Sequence, residues 1–187
     1  MSDGADVWRL VSESTLDDNS PYAYLLWGDH FGSTSRVVRA EPRSHVGQPE
    51  ALGEGELMGF VMGFAVPDRL DALFVWQVGV APEARGRGIG SLLLDDIWAE
   101  HPHLRWLEAT VTPNNAASDR LFRAFAERHG LEVATEVAYR EHDFPTGDHE
   151  AEIRYRIGPS GPRPTGTASP TQTELIDSTI TDQRTRD

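Results

Sequence analysis

The chain has 187 residues; all 17 of its basic residues are arginine, it has no lysine and no cysteine, and 30 Asp and Glu bring the formal net charge to −13. Schiff-base catalysis, a Walker-A phosphate loop, a thiol nucleophile, disulfide frameworks and cysteine zinc sites are thereby excluded, because each needs lysine or cysteine. The acidic balance argues against a nucleic-acid partner, which needs a basic footprint, and suits a cationic partner or solubility in salt.

The opening Met1–Asp6 has neither a positive region nor an apolar region, so no secretory signal is expected. No apolar run approaches the ~20 residues of a membrane span. The expectation is a soluble cytoplasmic protein without membrane contact. Val7 to Leu10 reads as a short first strand. Asn19-Ser20-Pro21 offers a helix start with proline near the first turn, and Tyr22 to Phe31 continues it. Arg36 to Ala40 reads as a strand. Leu57 to Val66 and Leu73 to Val80 are nearly continuous apolar runs of strand length, and Pro67-Asp68-Arg69 between them makes an antiparallel hairpin. Ile89, Leu92, Leu93 and Ile97 repeat at helical spacing with Asp95, Asp96 and Glu100 on the other side. Trp106 to Val111 returns as a strand. Asn114 or Asn115 caps a helix with the apolar stripe Leu121, Phe122, Phe125 and Ala126. Val133 to Tyr139 and Ala151 to Ile157 close as strands. The expected fold is an α/β domain over residues 1–157, with a mixed sheet and helices on both faces.

From Gly158 to Asp187 the composition changes: four prolines, many Ser and Thr, and no aromatic residue. Such a segment buries too little apolar area to offset its ordering entropy, so 158–187 is expected to be a disordered tail. It holds only four acids and three arginines, which leaves the acidity to the folded body.

The most informative stretch runs from Val78 to Ser91: strand, short loop, glycine-rich turn, amphipathic helix. Glycines let backbone approach a ligand and aim successive N–H groups at it, and the helix N-terminus adds its dipole. The turn therefore suits an anion such as a pyrophosphate, with Arg85 and Arg87 supplying charge where no lysine exists. Gly86-x-Gly88-x-Gly90 lacks the G-x-G-x-x-G spacing and lies after several strands, so a dinucleotide fold is rejected.

Arg85-Gly86-Arg87-Gly88-Ile89-Gly90 resembles the Q/R-x-x-G-x-G/A acyl-CoA loop of the GNAT acetyltransferases, and Asn115, ahead of Ser118 and Leu121-Phe122, resembles their next block. Leu16 to Leu26, Phe74 to Val78, Glu108 to Asn115 and His149-Glu150 narrow the similarity to the diaminobutyrate acetyltransferases of ectoine synthesis, from about Val7 to Gly158. The resemblance implies a GNAT-like acyl-CoA N-acyltransferase fold, a homodimer, and acetyl transfer from acetyl-CoA to the 4-amino group of L-2,4-diaminobutyrate. It implies that Val78 and Val80 hold the pantetheine, and that Arg85, Gly86, Arg87, Gly88, Ile89, Gly90 and Ser91 hold the pyrophosphate. Asn115 and Phe122 would border the thioester. Asp17, Trp76, His149 and Glu150 would contact the substrate.

Charge complementarity agrees: two ammonium groups and one carboxylate call for acids near an aromatic wall. Each of these residues also has an ordinary structural role open to it. Asp17 or Asn19 can cap the helix near Pro21, Trp76 can be core, and His149-Glu150 can be a loop pair. His101-Pro102-His103 has ligand-like spacing but no third ligand in view, so a solvated loop is expected and no metal. Many GNAT enzymes have a tyrosine where this chain has Phe122, and Gln77 stands where a carboxylate base would serve. Deprotonation is therefore assigned to Glu150 or Asp17, with direct transfer. Two other readings stand beside this one: an N-acetyltransferase for another small diamine or diamino acid, and a non-catalytic acyl-CoA-binding module.

Overall fold

The computed structural model describes residues 2–14, 16, 19–41, 55–145 and 149–161. Helices α1 (Ser2–Ser12) and α2 (Pro21–His30) precede strands β1 (Ser35–Arg39), β2 (Leu57–Val66) and β3 (Arg69–Val80). Then follow α3 (Ile89–Glu100), β4 (Trp106–Val111), α4 (Ala116–His129), β5 (Val133–Tyr139) and β6 (Glu152–Ile157). The six strands form one mixed sheet in the order β1-β2-β3-β4-β6-β5. All neighbours are antiparallel except β3 and β4, whose connection carries α3 and so returns the chain in the same direction.

One expected element is overturned. Val7 to Leu10 is not a strand but part of α1. An apolar run of that length shows no period of its own. The buried residues are Val7 and Val11, four apart, which is one face of a helix. Asp3 and Asp6 on the same helix both bind the Arg39 guanidinium, at 2.6 and 2.7 Å, and tie α1 to β1.

Alternate residues of the sheet feed two cores. On one face Val61, Leu73, Val75, Leu107, Ala109 and Ile157 pack under α3 and α4, which contribute Leu93, Ile97, Trp98, Phe122 and Phe125. Trp98 meets Phe125 edge-on, with ring centroids 5.6 Å apart. On the other face Phe60 and Met62 pack under Val7, Val11 and Tyr24 of the first two helices. Helices thus cover both faces, as the alternation of strand and helix patterns predicts.

Glu108 of β4 is the buried charge of the sheet. Both oxygens accept from Arg69 at 2.7 Å, and Arg156 donates at 2.9 Å, so one carboxylate joins β3, β4 and β6. Burial pushes this carboxyl upward, but the hydrogen bonds and charges of Arg69 and then Arg156 outweigh it and hold it below the ordinary carboxylate range.

Beyond β6 the chain stays attached for three residues. Gly158 N–H donates to the Glu132 carbonyl at 3.0 Å, and Ser160 N–H donates to the Arg105 carbonyl at 2.9 Å. Residues 162–187, most of the expected tail, lie outside the described residues.

Candidate active site

The site begins with an extra residue in β3. Met62 of β2 faces Gln77 while Gly63 faces Val75, so Trp76 is the bulged residue. The bulge turns Trp76 and Gln77 toward the α1/α2 side and bends the strand. Pairing between β3 and β4 spans only Ala72 to Val75 against Trp106 to Ala109. Past Val75 the two parallel strands part, although β2 still pairs with β3 as far as Val80. One backbone flank of β3 is left without a strand beside it.

An open cleft of about 930 Å³ fills the gap. Val78, Gly79 and Val80 form its floor. The glycine-rich turn and α3 form one wall through Arg85, Gly86, Gly88, Ile89, Gly90 and Ser91. Asn115, Ser118, Arg120 and Leu121 of α4 form the opposite wall, and Leu10 and Leu16 close the α1 side.

The turn is anchored by what it buries. Ala81, Ala84 and Ile89 are all in the core, so the exposed residues between them form an arch fixed at both ends. Gly86 and Gly88 adopt φ of 77° and 75°, the left-handed region that glycine enters without strain. Gly88 also occupies the N-cap of α3, with no side chain capping the helix. The first-turn N–H groups of α3 therefore lack an intrahelical acceptor beside the cleft, an arrangement suited to an anion. Arg85 leans back along the wall, its Nε 3.4 Å from the Val80 carbonyl oxygen.

The structure thus gathers Val78, Val80, Arg85, Gly86, Gly88, Ile89, Gly90, Ser91 and Asn115 around one cleft. Asn115 is also the N-cap of α4: its Oδ1 accepts from Ser118 N–H at 3.0 Å. Arg87 and Phe122 lie off the cleft. Arg87 is exposed at the crest of the turn, and Phe122 points into the core with its ring 6.1 Å from that of Tyr155. The nearby phenol of Tyr155 is engaged, donating to Asp119 Oδ1 at 2.5 Å. Burial, then this bond, raises its pKa above the ordinary tyrosine value.

The residues expected at the acceptor end are distributed differently. Trp76 is half-buried, stacked on Trp27 at 4.2 Å and 5.8 Å from Tyr24. Beside it the Tyr24 hydroxyl donates to Gln77 Oε1 at 3.0 Å. His149 stacks on Phe144 at 4.0 Å, and its Nδ1 lies 2.7 Å from the Glu150 carbonyl oxygen. Glu150 is exposed at the approach to β6. Trp76, His149 and Glu150 are not among the cleft's walls, and β4 separates their strands. Asp17 lies outside the described residues. His101 and His103 have rings 5.6 Å apart, and among the described residues no group of three His, Asp or Glu is arranged to hold a metal.

Reading the sequence missed Arg120 as a cleft residue and Glu108 as a buried junction. Arg120 had a signal: it follows the cap at Asn115 by five residues and neighbours Leu121 on the cleft side of α4. Glu108 had a weaker one, a lone acid in an apolar strand.

Comparison with known proteins now identifies the lineage. Residues 6–127 match the Acetyltransferase (GNAT) family. The L-2,4-diaminobutyric acid acetyltransferase of Streptomyces coelicolor is 44% identical over 163 residues, covering 85% of this chain and 89% of that protein. The enzyme of the same name from Halalkalibacterium halodurans is 38% identical, with 87% and 80% covered. Among solved structures, the diaminobutyrate acetyltransferase EctA from Paenibacillus lautus, in complex with its substrate L-2,4-diaminobutyric acid and coenzyme A, superposes with a TM-score of 0.74 at 36% identity, over 84% of this chain and 90% of that one. The chain belongs to the GNAT acetyltransferases and, within them, to the L-2,4-diaminobutyric acid acetyltransferases.

Proposed function

We propose that this protein transfers acetyl from acetyl-CoA to the 4-amino group of L-2,4-diaminobutyrate, giving N4-acetyl-L-2,4-diaminobutyrate. The observation that carries the reading is the cleft opened where β3 parts from β4, with an anion-binding turn at one wall, in a chain 36% identical to an enzyme whose structure contains both diaminobutyrate and coenzyme A. The free flank of β3 at Val78 and Val80 suits the amide groups of pantetheine, as a sheet edge suits an extended peptide. The turn from Arg85 to Ser91 suits the pyrophosphate.

Asp17 and Glu150 are assigned to the two ammonium groups, with Trp76 as aromatic wall and His149 beside Glu150. One of the two carboxylates takes a proton from the 4-ammonium, directly or through water, and passes it to solvent. The neutral amine attacks the thioester carbonyl, the C–N bond forms and the C–S bond breaks. The nitrogen's second proton ends on the departing thiolate, leaving the amide with one N–H. No acetyl-enzyme is formed: the chain has no cysteine to carry one, and a ternary complex suits an amine acceptor better.

The same reading carries a cytoplasmic homodimer, for which exposed Val137 and Tyr139 on the edge strand β5 offer apolar area. Among the described residues no helix is long and apolar enough to cross a membrane. The expected boundary at 158 moves outward, because Gly158 and Ser160 are buried against the domain, and we assign residues 162–187 to an extension outside it. A chain ended after Gly161, which keeps the Ser160 contact, is expected to retain full activity.

Thiol release from acetyl-CoA, followed with diaminobutyrate, ornithine, diaminopropionate and putrescine, tests the substrate. Diaminobutyrate should give the highest kcat/KM. A preference for putrescine would replace the substrate, and no amine-dependent release would leave only a coenzyme-binding module.

A further inference from the structure

Where acids outnumber arginines 30 to 17, most guanidinium groups are expected to be neutralised within the fold. Among the described residues eight arginines stand in ion pairs with carboxylates. Arg85, Arg87, Arg105, Arg120 and Arg140 stand in none with another described residue. Of these five only Arg85 and Arg120 line the cleft, and they do so from opposite walls.

The chain neighbour of Arg120, Asp119, is within reach of its charge but makes its hydrogen bonds elsewhere. Asp119 Oδ1 accepts from the Tyr155 hydroxyl at 2.5 Å and from Arg123 Nε at 2.7 Å. The Tyr155 bond first, then Arg123, and last the charge of Arg120 lower the pKa of this carboxyl, so it stays ionised, with its hydrogen bonds made to Tyr155 and Arg123 rather than to Arg120. Arg120 is left exposed on the first turns of α4, where the helix dipole adds positive charge of its own.

Coenzyme A presents two anionic groups, the pyrophosphate and the 3′-phosphate. The glycine-rich turn, the start of α3 and Arg85 serve the first. We propose that Arg120 holds the 3′-phosphate, making this wall of the cleft the element that distinguishes coenzyme A from dephospho-coenzyme A. A guanidinium suits the task because it stays charged at all working pH values and offers paired N–H donors to phosphate oxygens. The inference rests on the coenzyme reading above and adds a specificity residue to it.

Calorimetric titration of the full chain with coenzyme A and with dephospho-coenzyme A tests it without any acceptor amine. The wild type should bind coenzyme A about tenfold more tightly, the scale of one charge-assisted contact in a solvated cleft. R120Q should weaken coenzyme A by about the same factor and abolish the preference, R120K should restore part of it, and R85Q should weaken both ligands alike. A wild type that binds both ligands equally overturns the proposal, and so does an R120Q chain that keeps its preference. Tight, 3′-phosphate-dependent binding without thiol release on diaminobutyrate would sink the catalytic reading and leave this one standing. Acetylation of diaminobutyrate with equal use of both coenzymes would do the reverse.

Discussion

In the proposed reaction the glycine-rich turn and the His149–Glu150 segment serve the two halves, and their chemistry rests on different parts of the chain. At the turn the groups assigned to recognition are, Arg85 and Arg120 aside, backbone: N–H groups of α3, the unpaired flank of β3, and two glycines in left-handed conformation, with Ala81, Ala84 and Ile89 anchoring the turn in the core. At the other end the proposal assigns recognition to side chains from separate segments, Trp76 on a bulge and Glu150 just before β6, which lies between β4 and β5. A backbone site tolerates changes in composition as long as the path of the chain is kept. A side-chain site is lost by replacing a single functional group, and this is how one coenzyme-binding fold can serve many acceptors.

Four measurements press on that contrast. The largest effect is expected at the acceptor end: E150Q should lower kcat by about 100-fold or more if Glu150 is the base, the usual scale for acid–base catalysis, with little change in KM for acetyl-CoA. A rise in KM for diaminobutyrate with kcat unchanged would make it a binding residue. Next is the joint between the two ends. E108A strips Arg69 and Arg156 of their shared carboxylate and should cost about 2–3 kcal/mol in denaturant unfolding, toward the low end for a broken buried pair because both arginines are partly exposed. The pH dependence has a definite sign. The folded carboxyl lies below its unfolded value, so the unfolded chain binds more protons between the two. The Glu108 contribution is then complete above about pH 4.3 and lost as pH falls through the folded value. E108Q should flatten that acid limb.

The third measurement returns to the turn. G88A places a side chain at φ 75° and should cost about 1–2 kcal/mol, seen as a higher KM for acetyl-CoA with kcat for saturating coenzyme nearly kept. G90A is its control: the added Cβ would meet Leu121 at an ordinary 3.5 Å, inside a helix that favours alanine. Equal damage from both would show that the wall's shape matters more than the turn's conformation. The smallest effect is expected from N115A, about 1 kcal/mol from the lost cap of α4. A much larger loss in acetyl-CoA affinity than in stability would show that Asn115 also touches the coenzyme.

Regular elements were legible where their period had room to appear. The apolar runs 57–66, 106–111 and 133–139 are strands over those same residues, and the stripe from Ile89 to Ile97 is α3. Val7 to Leu10 was misread because such a run fits either period, and only the burial of Val11 separates them. The bulge at Trp76 was invisible for a related reason. A strand buried on both faces shows no alternation, so nothing in Leu73 to Val80 announces that one residue is extra. Phe122 was placed at the thioester by its position in a motif, whereas its spacing of three from Phe125 places it in the core. Arg120 was passed over because an arginine on an amphipathic helix reads as solvated surface. It is singled out by its place in the cleft wall together with its lack of an ion pair among the described residues.

The parting of β3 and β4 also bears on what an open strand flank exposes to other chains. An unpaired strand edge is ordinarily a hazard, since a neighbouring chain can add to it and start aggregation. Here the edge lies in the middle of the sheet, in the gap where β4 diverges, with residues of α3 and α4 and Leu10 of α1 lining the surroundings. It is an edge sheltered from other chains and open to a slender ligand. Because β2 already fixes the strand from behind, the groups that would meet that ligand are in place before it arrives, and little ordering remains to be done on binding.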